Sequence, residues 1–180
     1  TAIDKLLEAL IVDKKIKIGD LLIGDKNALI IAARILAYGK QYEFTMYNQD
    51  GEETIATVDL TTLNDKEIDI KELSEGVNEF SFKLPNSERD VSLRLLTHLD
   101  EKELEIESER LKKVPSGLVQ TMTSRMKRII VSVDGKSERA FINNFVDKEL
   151  LSVDALAMRK FINSINPDVH MTTTATFEDG

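Results

Sequence analysis

The spacing of apolar residues along this chain changes period three times, and the order of those changes restricts the folds open to it. Ile3, Leu6, Leu7, Leu10 and Ile11 recur at helical spacing, and the run from Ala28 to Tyr38 is apolar on more than one helical face. The period then drops to two. Tyr42, Phe44 and Met46 alternate with polar residues, as do Ala56, Val58 and Leu60, then Phe80, Phe82 and Leu84, then Val91, Leu93 and Leu95. Helical spacing returns after residue 99, and a last alternating run covers Val169, Met171, Thr173, Ala175 and Phe177. A parallel, doubly wound sheet needs strands that alternate with helices, and this order does not supply them. The expected class is α+β, with N-terminal helices, antiparallel hairpins, a helical C-terminal half and a final strand that pairs back.

Local signals set the expected boundaries. Asp25 reads as an N-cap and Gly39 as a helix stop. Asn48, Gln49, Asp50 and Gly51 make the turn of a first hairpin, and Pro85 begins the turn of a second. The polar stretch from Thr61 to Gly76 reads as loop. Leu99, Asp100, Glu103 and Leu104 suggest a capping-box variant with a hydrophobic staple. After Pro115-Ser116-Gly117, the residues Leu118, Val119, Met122, Met126, Ile129 and Ile130 form one helical stripe. Asp134-Gly135 marks a turn, Ser137 and Ser152 are candidate caps of two more helices, and Asn166-Pro167 closes the last. The helix from Ala28 is expected to be the buried centre, with Ile30, Ala33, Leu36, Met126, Ile129 and Phe161 in the core. Three segments follow: a helix-plus-hairpin lobe over 1–98, a helical lobe over 99–167, and a terminal strand over 168–180 that packs on the first lobe, with a single domain as the alternative.

Composition narrows the chemistry. Cysteine is absent, which removes disulfide, cysteine-nucleophile and thiolate-zinc chemistry. The only histidines, His98 and His170, have no second histidine at ligand spacing. No G-x-S-x-G, Walker or G-x-G-x-x-G pattern occurs. Asp50, Glu52 and Glu53 lack the spacing of a calcium loop. A net charge of −8 disfavours a polyanionic partner. Arg110, Lys112, Lys113, Arg125, Lys127, Arg128, Lys136 and Arg139 do crowd into one stretch, but no aromatic residues interleave to stack bases. The longest apolar run, Ala28 to Ala37, is interrupted by Arg34 and is far shorter than the roughly 20 residues of a membrane span. No signal-peptide pattern is read at the start. The expectation is therefore no catalytic residue, no metal, no cofactor, no nucleic acid, no membrane and no small-molecule substrate.

Several strings, taken in order, resemble a known family. They are Ala32-Ala33-Arg34-Ile35-Leu36-Ala37-Tyr38-Gly39-Lys40-Gln41-Tyr42, then Val58-Asp59-Leu60-Thr61-Thr62-Leu63, then Asn78-Glu79-Phe80-Ser81-Phe82-Lys83-Leu84-Pro85. Leu95-Leu96-Thr97-His98-Leu99-Asp100-Glu101, Ser132-Val133-Asp134-Gly135, Phe145-Val146 and Pro167-Asp168-Val169 follow. From about Ile18 to Phe177 the chain resembles the baseplate hub subunits, or hub assembly proteins, of T-even-type contractile-tailed phages. Members of that family often carry a Cys-Pro-x-Cys-Gly knuckle after the first strand and a second cysteine pair after the last. Here Tyr47 and Asp50 stand at the first two cysteine positions, Gly51 keeps its place, and the chain runs out at Phe177-Glu178-Asp179-Gly180. A zinc site that the knuckles would form is lost, while the last strand and first hairpin remain able to pair.

The resemblance implies a viral structural or chaperone role in tail assembly, through contacts with other hub proteins, in the host cytoplasm and in the virion baseplate if the protein stays there. A permanent subunit and a transient assembly factor both fit it. An adaptor domain outside any virus is the alternative, and an enzyme comes third. Candidate partner-binding residues are Arg110, Lys112 and Lys113 on the charged helix, and Tyr47, Asp50 and Glu53 at the first hairpin. Elemental analysis of chelator-washed protein is expected to find well under one zinc per chain; a stoichiometric ion that survives chelation would contradict the loss of the knuckle.

Overall fold

The computed structural model describes residues 2–47, 51–68, 76–111, 117–172 and 176–177. The chain forms two compact units, and the α+β order expected from the sequence is present. The first unit contains residues 1–16, 23–67 and 167–180, and the second contains residues 17–22 and 68–166. The boundary drawn at residue 98 thus falls inside the second unit, because the second hairpin shares a sheet with a strand that follows the helices.

In the first unit, helix α1 (Ala2–Leu10) packs against α2 (Ile23–Tyr38). Strands β1 (Gln41–Tyr47) and β2 (Glu53–Asp59) pair antiparallel from Gln41 opposite Asp59 to Tyr47 opposite Glu53. The polar stretch read as loop holds a two-residue strand, β3 (Asn64–Asp65). The terminal run is divided into β7 (Val169–His170), which pairs with β3, and β8 (Thr176–Phe177), which pairs with β2. The chain returns through Asp168. Its carboxylate accepts from the Asn27 side chain at 3.0 Å, and its carbonyl accepts from Lys66 N at 2.8 Å. Gly24 is required here, since a Cβ would overlap the Pro167 backbone.

In the second unit, β4 (Phe80–Lys83), β5 (Asp90–Leu93) and β6 (Ile130–Val133) form an antiparallel sheet in that order. Helices α3 (His98–Leu111) and α4 (Gly117–Ile129) connect β5 to β6, and α5 (Arg139–Lys148) and α6 (Ser152–Ile165) complete the unit. Leu84, Val91, Leu93, Leu96, Leu104, Met126, Ile129, Ile130, Val133, Ile142, Phe145 and Met158 make one continuous core. Strand β6 is absent from the sequence reading, which ran Ile129 and Ile130 into a helical stripe. The cause is a bulge at Ser92/Leu93, where Leu93 pairs with Ile130 while Ser92 pairs with Ser132. Ile130 and Val133, three apart, both turn inward, so the strand carries a helix-like spacing.

The helix starts also differ from expectation. The cap of α3 lies three residues earlier: Thr97 takes the capping position and Asp100, three residues on, accepts from Thr97 N at 2.9 Å. Arg94 grips the same carboxylate at 2.6 and 2.8 Å. Leu99 is half exposed while Leu104 lies in the core, which leaves no staple between them. Glu138 and Leu151, rather than Ser137 and Ser152, occupy the N-cap positions of α5 and α6, without side-chain capping bonds.

A carboxylate in the first turn of α6 ties that helix to the second hairpin. Asp154 is completely buried, and it accepts from Asn86 N at 2.8 Å and Ser87 N at 3.1 Å, in the turn between β4 and β5. Burial pushes its carboxyl up, but the donated hydrogen bonds outweigh that and leave it below the ordinary aspartate value.

Helix α2 is not the buried centre. Met126 and Ile129 are in the core as expected, Ile30, Ala33 and Phe161 are half-buried, and Leu36 is 83% exposed. Leu36→Ala should therefore change the stability of the isolated chain by no more than about 0.5 kcal/mol. Asp154→Ala should cost about 2–4 kcal/mol, because two backbone donors lose their acceptor. Urea midpoints of the two variants against the parent check both values, and a large loss at Leu36 would restore the buried-helix reading.

Candidate docking site

The junction of α2 with β1 presents an ordered aromatic surface. Helix α2 stops because Gly39 adopts φ +83°, a left-handed conformation that glycine reaches without strain, while its N–H closes the last turn on Ile35 O at 2.9 Å. The chain reverses directly into β1. Arg34, one turn before the stop, folds back over this reversal and donates to the carbonyls of Gly39 at 3.3 Å and Gln41 at 3.4 Å. Its guanidinium lies 4.8 Å from the centre of the Tyr38 ring and 5.7 Å from that of Tyr42. Tyr42 in turn stacks on Phe44 with ring centres 5.9 Å apart. Tyr38 is 78% exposed and Tyr42 44% exposed, so the rings are held in place and still face solvent.

The rest of the junction is tied by Asp59. This residue accepts from Thr61 N at 3.0 Å and from the Thr61 hydroxyl at 2.6 Å, and it pairs with Lys40 Nζ at 2.8 Å. The Lys40 hydrogen bond foremost, then those from Thr61, bring its pKa down to about 2. Lys40 O also accepts from Leu60 N at 2.8 Å, so both ends of the hairpin are pinned beside the platform.

The sequence-derived candidates are scattered by comparison. Tyr47 and Glu53 meet as the closing cross-strand pair, with the tyrosine hydroxyl donating to Glu53 Oε1 at 3.0 Å. Arg110 is exposed near the end of α3. Asp50, Lys112 and Lys113 lie outside the described residues, as do the side chains of Leu118 and Val119 in the expected α4 stripe. Much of the basic patch is matched internally: Arg125 pairs with Glu101 at 2.6 Å, Arg128 with Glu103 at 2.6 Å and Lys127 with Asp147 at 2.7 Å. Arg139 donates to Lys127 O at 2.7 Å, and Lys136 lies over the Phe141 ring at 4.9 Å. His98 opens α3, and His170 sits opposite Asn64 in the β3–β7 pair. Among the described residues, no three His, Asp or Glu side chains are grouped to hold a metal, and no helix is long and apolar enough to cross a membrane.

Arg34 and Tyr38 are not among the partner-binding residues that the sequence points to, although one signal is present. Arg34 interrupts the longest apolar run, and in the fold two carbonyls of the reversal accept from it. No family model, no curated protein and no solved structure matches this chain.

The Asp59 environment yields a direct test. Its lowered pKa means that its contribution to stability is present above the unfolded value of about 3.9 and is lost as pH falls through the folded value. Carboxyl NMR titration should place the Asp59 midpoint at about 2. Lys40→Met should move that midpoint up toward the ordinary range, and an unmoved midpoint would remove Lys40 as the main cause.

Proposed function

We propose that this protein works by docking to other proteins, as a component or assembly factor of a phage tail baseplate hub. The observation that carries the docking part is the platform of Tyr38, Arg34 and Tyr42, which is ordered by its own hydrogen bonds and left exposed. Tyrosine and arginine are the residues most enriched where protein interfaces concentrate their binding energy, because each combines a broad contact surface with a polar end. Here the backbone carbonyls of the reversal already hold the guanidinium, so less side-chain freedom is lost on binding. The baseplate part rests on the ordered strings that resemble the hub family. The longest of them, Ala32 to Tyr42, contains all three platform residues.

Co-expression with the hub proteins of the same phage, followed by pull-down at low and high salt, is the test. At least one hub protein should be retained. Tyr38→Ala and Arg34→Ala should each weaken retention by about tenfold or more if these side chains are interface anchors. Contacts through the aromatic face should persist at high salt, whereas those made by the charged surface of α3 should fade. No retained hub protein at either salt, together with complete tails from a phage that lacks this chain, would refute the assignment.

A further inference from the structure

A groove of about 290 Å³ runs between α4, α5 and α6 in the second unit. Met122, Met126, Val146, Leu150 and Ala155 give it apolar walls, and Arg125 and Arg159 both line it. The volume lies just below the range of roughly 300–1,000 Å³ typical of sites that enclose a small molecule. A few protruding apolar side chains fill it better than a whole ligand. The walls are helices, which offer side-chain ridges and no unpaired strand edge, so the complementary shape is another helix. The two methionines give the walls freedom to adjust to the anchors that enter.

Charge selects the partner. Around the groove, Arg125, Lys127 and Arg128 are each matched by a carboxylate of this chain. Arg159 is half-buried, and its Nε donates to Ala155 O in its own helix at 3.3 Å. Among the described residues no carboxylate approaches it within ion-pair distance. The outer edge of its guanidinium is a fork suited to one incoming carboxylate. The overall charge of −8 opposes acidic partners, but at 0.1 M salt that field is screened beyond about 10 Å, and a contact pair is not.

We propose that this groove seats an amphipathic helix of another protein, whose apolar face enters between α4 and α6 and whose adjacent Asp or Glu pairs with Arg159. The proposal does not rest on the baseplate reading, and its test uses neither phage nor hub proteins. The probe is a stapled amphipathic peptide of roughly 16 residues, long enough to hold a helix when constrained, with leucines at i, i+3, i+4 and i+7 and flanking glutamates. A second peptide carries lysine in place of each glutamate. Methionine-methyl NMR of the full chain reports the location, because the five methionines are distributed between the units. The glutamate peptide should shift Met122 and Met126 and leave Met46 and Met171 unmoved. Arg159→Glu should weaken that peptide by about tenfold or more and strengthen the lysine peptide. Arg159→Gln, which keeps the side chain polar without charge, should fall between them, with an unchanged thermal midpoint as the folding control. Equal affinity for both peptides, equal binding by R159E, or shifts confined to Met46 and Met171 would each overturn the proposal.

Discussion

In the second unit, most of the architecture depends on one buried carboxylate. Asp154 sits in the first turn of α6, and two backbone N–H groups of the β4–β5 turn point at it. A charge withdrawn from water this completely persists only if hydrogen bonds replace its hydration. The turn is shaped to provide them: Leu84 N donates to Arg89 O, Glu88 N donates to Leu84 O, and Glu88 takes a positive φ of 54°. The carboxylate thus fixes the position of the hairpin on α6 before any apolar packing is counted. Phe82 then stacks on Phe161 with ring centres 4.7 Å apart, and Leu84 and Met158 close the core around the same place.

An aspartate that accepts from a backbone N–H recurs at four further changes of direction. Asp100 holds Thr97 N at the start of α3, Asp134 holds Asp90 N beside the β6 turn, Asp59 holds Thr61 N after β2, and Asp168 holds Val169 N before β7. Each also meets a second partner: Arg94, Arg89, Lys40 and Asn27 respectively. An acidic composition is therefore in part structural. Aspartates accept the backbone donors that turns and helix starts leave without partners, and basic side chains balance many of them.

These internal pairings clarify where a partner would act. Of the basic patch, Arg125, Lys127 and Arg128 are held by carboxylates and Arg139 by a carbonyl of the second unit. Among the described residues, those open to solvent include the aromatic surface of Tyr38 and Tyr42 on the first unit and a groove lined in part by Met122 and Met126 on the second. Both suit recognition of protein surfaces better than capture of a charged polymer, because their binding energy would come from buried area with only a few oriented polar contacts.

The sequence alone determined the order of elements, because apolar spacing follows the period of the backbone wherever a regular element has one buried side. Alternation in Phe44, Met46, Ala56 and Val58 and the Asp134-Gly135 pair are examples whose reading requires no long-range contact. Tertiary structure decided everything that depends on what an element meets. The extra residue in β6, Val131, gave that strand a spacing that reads as helix, and β3 became a strand because β7 arrived beside it. Helix α2, apolar on several faces, left Leu36 in solvent because no described part of the chain covers it. The aromatic platform depends on tertiary structure in the same way: the partners of Arg34 are two carbonyls and two rings that come together only when Gly39 reverses the chain, a geometry that residue spacing does not encode.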